Sequence, residues 1–308
     1  MAPTGREQIT DGLTVGGYRA ASLVSRAMPG PVAGAAATVL GTSLAAGMRS
    51  RRSMVERHLT RVDPSLTGMA LRRAVQDAFD SYTRYYIESF RLPTLSTRAV
   101  ARGFRTDGYD PHILQGLERG KGVILALPHL GGWEWAGRWM TDQGHKLTVV
   151  VEALEPPELF EWFVDLRQKL GMNVVPLGPD AGSTVLKALR DNEVVCLLCD
   201  RDIGGGGVDV EFFGERTTLP PGPVTLALRT GAALLPTAVY FTRRTDGHYA
   251  IVRPPLSMER QGGLRDDVAR ITQDLARELE GLIRRAPEQW HLFQPNWPSD
   301  PGYGDHTR

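Results

Sequence analysis

Val123-Ile124-Leu125-Ala126-Leu127-Pro128-His129-Leu130-Gly131-Gly132-Trp133-Glu134 decides the fold. A short apolar run reads as a buried strand, Pro128 and Gly131-Gly132 as the turn that ends it, and Trp133 as the start of a helix. That order puts His129 at the carboxyl end of a strand, where open α/β sheets bind their ligands. A histidine there can take a proton from an attacking hydroxyl, and Glu134, five residues on, can hold the imidazole in the right tautomer.

The H-x4-E spacing alone is weak. With 7 histidines and 35 acids in 308 residues, about one such pair arises by chance, the general hazard of short motifs. A second pair, His58 and Asp63, lies in Arg51-Arg52-Ser53-Met54-Val55-Glu56-Arg57-His58 with no strand before it. That context reads as a solvated helix face, and replacing His58 is expected to be silent.

Outward from the opening stretch, short apolar runs alternate with helical segments. Strands are expected at 122–127, 147–151, 173–177, 194–199, 209–213, 234–242 and 249–253. Helices are expected at 133–143, 156–170, 183–191, 221–230 (closed by Gly231) and 266–285. The fold class is therefore α/β, a mostly parallel sheet covered by helices. Residues 12–90 read as helical, with Pro64 and Pro93 as stops. The expected organisation is one domain over 1–308, divided into a helical part at 1–90 and an α/β core at 91–308.

Composition narrows the functions. A net charge of +1 gives no field for nucleic acid, so no nucleic-acid partner is expected. No signal peptide is visible in the sequence, which leads to the expectation of a protein acting in the cytoplasm. Between Arg26 and Arg49 lie 22 uncharged residues rich in Gly, Ala and Thr and holding Pro29 and Pro31. Such a stretch suits a packed or interfacial helix better than a membrane span. Residues 1–61 hold eight arginines against three acids. This local excess suits either a solvated helix or peripheral contact with anionic lipid.

Cys196 and Cys199 form a C-x-x-C within one expected strand. Their side chains should point to opposite faces, too far apart for a disulfide, and zinc would need two further ligands. No metal is expected. Asp200-Arg201-Asp202 follows that strand, so its charges should emerge beside His129, although such a triplet is also a common ion-pair turn. Gly204 to Gly207 reads as a flexible loop or a lid. Trp133, Trp135, Trp139, Trp290 and Trp297 suit core packing, and tryptophan also suits membrane interfaces and sugar faces. The chain has neither a G-x-S-x-G elbow nor a phosphate-cradling G-x4-G-K-[ST].

Taken in order, 126–134, 195–202, Phe212-Phe213-Gly214-Glu215 and Pro220-Pro221-Gly222-Pro223 resemble the bacterial lipid A and lysophospholipid acyltransferases. Thr230-Gly231-Ala232-Ala233-Leu234-Leu235-Pro236-Thr237 and 290–297 are similar to the actinobacterial branch that acylates phosphatidylinositol mannoside. The resemblance implies acyl transfer from an acyl-CoA co-substrate, palmitoyl-CoA for preference, to a mannose hydroxyl, with no cofactor. It implies a peripheral protein on the cytoplasmic face of the inner membrane, its helical amino-terminal part resting on an anionic surface. Another glycolipid or a lysophospholipid as acceptor, and lipid binding without catalysis, are the alternatives. By resemblance Asp200 supplies the acid for His129, whereas the local spacing nominates Glu134. Where the family usually has Asp after the histidine this chain has Glu134, and where the mannoside branch tends to carry Glu-Arg-Asp it has Asp200-Arg201-Asp202. Glu152, Arg167 and Arg201 align with polar positions that line the family's cleft, Asp202 is a further candidate for substrate binding, and the Gly131 and Gly132 N–H groups are candidate donors to the reacting oxyanion. Glu152, Asp200 and Asp202 together favour a neutral sugar over a phosphate.

Overall fold

The computed structural model describes residues 5–152 and 156–304, with the side chains of 5–11, 13 and 14 left out. The first four residues of the region read as lacking a signal peptide lie outside the described residues, as do the side chains of Arg6, Glu7 and Asp11 from the charge count. Four helices come first: α1 (Gly5–Ala27), α2 (Gly30–Gly47), α3 (Arg49–Val62) and α4 (Gly68–Arg91). Then follow α5 (Thr97–Gly103), β1 (Phe104–Asp107), a π-helical turn at Tyr109–Leu114 and α6 (Gln115–Glu118). The alternating part runs β2 (Val123–Leu127), α7 (Trp133–Asp142), β3 (Leu147–Val151), α8 (Pro157–Lys169), β4 (Met172–Pro176), α9 (Ala181–Arg190) and β5 (Val194–Leu198). It closes with β6 (Val208–Phe212), β7 (Glu215–Leu219), α10 (Gly222–Thr230), β8 (Ala233–Phe241), β9 (His248–Val252) and α11 (Leu264–Ile283).

The described residues form a seven-stranded sheet in the order β1-β9-β8-β2-β5-β3-β4, parallel throughout except between β8 and β9. The mostly parallel α/β expectation holds. All five residues of β2 are buried, as a central strand covered on both faces requires. One face packs under α9, α10 and α11 through Leu189, Val224 and Leu275, the other under α7 through Trp135 and Met140. The Trp135 indole N–H is satisfied by the Val100 carbonyl at 3.1 Å, so the largest ring in that layer is buried without stranding its polar atom.

One strand expectation needs correction, and two strands, β7 and β1, were not expected. The 209–213 strand does not join the main sheet; β6 pairs antiparallel with β7 as a separate hairpin. Its two-residue turn puts Phe213 at φ 52° and Gly214 at φ 76°, the positive-φ pair that matches strand twist in tight hairpins. Strand β7 escaped notice because Glu-Arg-Thr-Thr-Leu has no apolar run of its own. Strand β1, Phe-Arg-Thr-Asp, is a four-residue charged edge, with the pattern that protects edges from mispairing.

The helical reading of the amino-terminal part holds. In α2 the small residues Ala33, Ala37, Gly41 and Ala45 recur every four positions and are buried. A Cβ at Gly41 would collide with Asp80 of α4, so the two helices meet nearly backbone to backbone. Among the described residues no single helix is long and apolar enough to cross a membrane, and α2 with α3, which together would be, are bent by 102°.

His58 departs from expectation. It is buried rather than solvated, its Nδ1 lies 2.9 Å from the Leu292 carbonyl, and its Nε2 lies 3.2 Å from Asp300. Arg57 and Arg61 also reach Asp300. Arg57, His58 and Arg61 therefore staple the carboxyl-terminal segment to α3, while Arg49 and Arg51 at its start face water.

Candidate active site

Register brings the site together. Strands β2 and β5 pair with Leu127 opposite Leu198, and the ladder continues one step as the Cys199 N–H donates to the Leu127 carbonyl at 2.8 Å. Two residues past each strand stand His129 and Asp200, side by side for the same reason. The His129 Nδ1 lies 2.7 Å from Asp200 Oδ1, and the His129 backbone N–H donates to Oδ2 at 2.9 Å. A carboxylate accepts only, so Nδ1 carries the proton and Nε2 presents its lone pair.

Asp200 is fully buried, whereas the His129 side chain is 24 % exposed. Burial alone would raise the Asp200 carboxyl, but the neighbouring His129, with the Trp290 N–H, outweighs it and holds Asp200 below the ordinary carboxylate range. The pair thus joins a hidden fixed anion to an accessible base.

Glu134 lies elsewhere. Its Oε1 accepts from Arg167 Nε at 2.9 Å, Arg167 Nη2 at 2.6 Å and the Tyr85 hydroxyl at 3.0 Å. Burial opposes the Arg167 charge, yet Glu134 and Tyr85 raise its pKa above the usual value. The carboxylate bonded to His129 is Asp200, and the local H-x4-E spacing links Glu134 to α4 and α8 instead. Trp133 joins the two clusters: its ring stacks on Tyr85 at 4.2 Å and meets His129 edge-on at 5.9 Å.

The other candidates divide. Glu152, just past β3, accepts from Arg201 at 2.6 Å. Asp202 accepts from the Gly207 N–H at 2.8 Å and the Thr218 hydroxyl at 3.1 Å, so it ties the glycine run to the β6–β7 hairpin. The three carboxylates expected to favour a neutral sugar are thus each engaged within the protein, Asp200 with His129 and Trp290, Glu152 with Arg201, and Asp202 with Gly207 and Thr218. Gly131 is at φ 62°, and a Cβ there would strike the Val239 carbonyl, so only glycine fits. Its N–H donates to the Gln289 carbonyl at 2.9 Å, which removes it from the expected oxyanion donors. Gly132 precedes the first bonds of α7, made by the Trp135 and Ala136 N–H groups to its own carbonyl; the N–H groups at this helix start are free in the usual way.

Between α7 and the sheet lies an apolar cleft partly open to solvent, about 800 Å³ when the open solvent at its mouth is counted. It runs from Trp133, Glu134 and Arg167 at the carboxyl end of the sheet to Met140, Leu147 and Met172 at the amino end. Cys196 faces this cavity, and burial pushes its thiol up to about 12; Cys199 packs on the other face. The two are free thiols on opposite faces, as expected.

The sequence has relatives among known proteins. The family model described as bacterial lipid A biosynthesis acyltransferase matches residues 15–299. The chain belongs to this acyltransferase family. It is 43 % identical over 227 residues to the phosphatidylinositol mannoside acyltransferase of Mycobacterium tuberculosis (strain ATCC 25618 / H37Rv), covering 72 % of this chain and 70 % of that one. With the protein of the same name from Mycolicibacterium smegmatis it shares 35 % identity over 304 residues, 97 % and 96 % of the two chains. A lipid A biosynthesis acyltransferase of Haemophilus influenzae is 27 % identical over 183 residues, 58 % and 54 %. The resemblance read from the motifs therefore holds for this acyltransferase.

Trp290, His291 and Asn296 also belong to the site, and sequence reading took their segment as core packing. The only signal was the block 290–297 itself, whose aromatic content suggests packing before hydrogen bonding.

Proposed function

We propose that the protein transfers a long acyl chain, palmitoyl by preference, from acyl-CoA to a mannose hydroxyl of phosphatidylinositol mannoside, with His129 as general base and Asp200 as its partner. The observation that carries this reading is the buried-anion, exposed-base pair beside an apolar cavity in a chain of this family. His129 Nε2 takes the hydroxyl proton as the oxygen attacks the thioester carbonyl. The C–S bond then breaks, and the imidazolium returns its proton to the departing CoA thiolate. Asp200 stabilises that imidazolium, and the N–H groups of Gly132 and Trp133 serve as oxyanion donors. No metal or redox step enters. The cavity takes the acyl chain, a use that fits its lining. Arg167 with Glu134 and Arg201 with Glu152 are the polar groups proposed to hold the substrate's head; Asp202 holds the loop beside them.

The mannoside acceptor rests on the names of the mycobacterial relatives. We place the protein at the cytoplasmic face of the inner membrane, bound peripherally through α1 and α2. Their exposed Leu23, Val24, Val32, Val39 and Leu40, with the exposed Arg19 of α1 and Arg49 and Arg51 of α3, combine apolar contact with attraction to anionic lipid. The test offers radiolabelled palmitoyl-CoA with phosphatidylinositol mannoside, a lipid A precursor or a lysophospholipid. Preferential mannoside acylation that vanishes in a folded His129→Ala protein is expected. Preference for another acceptor would overturn the assignment, and acyl binding without CoA release would reduce the protein to a lipid binder.

A further inference from the structure

Trp290 lies on a segment that runs beside the His129 loop. Its indole N–H donates to Asp200 Oδ2 at 2.7 Å, and the side chain is buried. The same segment grips the loop twice more: Gly131 donates to the Gln289 carbonyl at 2.9 Å and His291 N–H donates to the His129 carbonyl at 2.7 Å, the two bonds that make Leu130 and Trp290 an antiparallel bridge. Asn296 then donates to the Asp200 backbone carbonyl at 3.0 Å. One strap therefore holds both partners of the His129–Asp200 bond.

We propose that Trp290 is a positioning residue for acyl transfer: by holding Asp200 Oδ2 it aims Oδ1 at His129 Nδ1 and limits how much of the carboxylate charge the imidazole feels. This rests on the reading of His129 as the base. An N–H on one carboxylate oxygen stabilises the anion and draws charge from the other oxygen. Without it, more negative charge faces His129 and the imidazolium is favoured. His129 then titrates at higher pH, and less neutral base remains at any given pH below that point. The carboxylate also gains freedom to turn away.

Other charged or titratable groups surround the pair. His291 lies on the strap, Cys199 and Arg201 flank Asp200, His58 of α3 lies 5.7 Å from the Trp290 ring, and Glu134 with Arg167 sit beyond Trp133. Among the described residues only Trp290 and the His129 amide donate to Oδ2.

Trp290→Phe keeps an aromatic ring and deletes the donor. Trp297→Phe is the control, since Trp297 is equally hidden and its N–H goes to the Phe212 carbonyl at 3.1 Å. With palmitoyl-CoA and phosphatidylinositol mannoside, kcat and KM are measured against pH, and the His129 ring is titrated by NMR. For Trp290→Phe we expect kcat to fall about tenfold, the loss of one charge-assisted bond, with KM for palmitoyl-CoA within about twofold. The acid limb and the His129 titration should both move up by about one pH unit, whereas Trp297→Phe should leave both in place. A Trp290→Phe protein with an unmoved His129 titration overturns the proposal. If that variant does not fold, the wild-type Trp290 indole N–H resonance decides: it should shift as His129 titrates, and its indifference overturns the proposal equally. The NMR readouts need no turnover, so a chain that transfers no acyl group would sink the functional reading separately.

Discussion

Asp200→Asn isolates the electrostatic half of the His–Asp pair. Three N–H groups converge on the Asp200 carboxylate: His129 Nδ1–H on Oδ1, and the His129 amide and Trp290 indole on Oδ2. An asparagine has one acceptor oxygen, and two of these donors are fixed on the Oδ2 side. The amide oxygen therefore settles there, and the NH2 group faces Nδ1. That nitrogen must then accept, which moves the imidazole proton to Nε2 and removes the base. All three hydrogen bonds survive in this arrangement, so folding stability should change little. Activity should not survive: loss of a general base costs about 10²- to 10⁴-fold in rate, and wrong-tautomer variants of other His–Asp pairs fall at the upper end. CoA release from palmitoyl-CoA in the presence of acceptor, followed with a thiol reagent, gives kcat and KM separately. A drop of 10²-fold or more in kcat at near-constant KM is the expected result. Near-normal turnover of Asp200→Asn beside a dead Glu134→Gln would refute the reasoning and make Glu134 the working acid.

His58→Ala should destabilise the fold by about 2 kcal/mol, because it removes one hydrogen bond from Asp300, which keeps Arg61 and the Asn296 and Trp297 N–H groups, and leaves a cavity, while the folded fraction keeps its turnover; urea unfolding with parallel rate measurement checks this against the silence expected from sequence. His291 is buried beside Ser81, and burial pushes its pKa down to about 3. Its folded value lies below the ordinary 6.5, so its contribution to stability is complete above pH 6.5 and is lost as pH falls toward 3. The expected slope is about 1.4 kcal/mol per pH unit, and His291→Gln should flatten it in urea unfolding between pH 7 and pH 5. Vesicle flotation should need anionic lipid and weaken with salt, each free arginine adding about 1 kcal/mol; equal flotation on neutral vesicles at high salt would refute the membrane proposal.

The parts legible in the sequence were those fixed by local pattern. The 123–127 run, Pro128, the paired glycines and Trp133 marked strand, turn and helix without knowledge of any neighbour. The weakly apolar composition of 27–48 left a packed and an interfacial helix both open, and contact with α4 showed the buried side of α2. The parts that sequence missed depend on a partner distant in the chain. Strand β7 exists because β6 lies opposite it, and the helix carrying His58 looked solvated because Asp300, 242 residues away, was not in view.

The choice between Asp200 and Glu134 shows the same limit in chemical form. Five residues of sequence separate His129 from Glu134, but the turn at Gly131 and the start of α7 direct that carboxylate toward Arg167 and Tyr85. The 71 residues between His129 and Asp200 count for nothing once β2 and β5 pair in register. Parallel neighbours extend in the same direction, so equal overhangs past two paired strands end side by side, whatever their separation along the chain. Separation in register therefore predicts contact at this sheet edge better than separation in sequence. Glu152, one residue past β3, falls two register steps short of Arg201, three past β5, and the long arginine side chain closes that gap to 2.6 Å. The edge is thus paired charge to charge from strand to strand, and His129 is the member of it that combines a buried anionic partner with an accessible nitrogen.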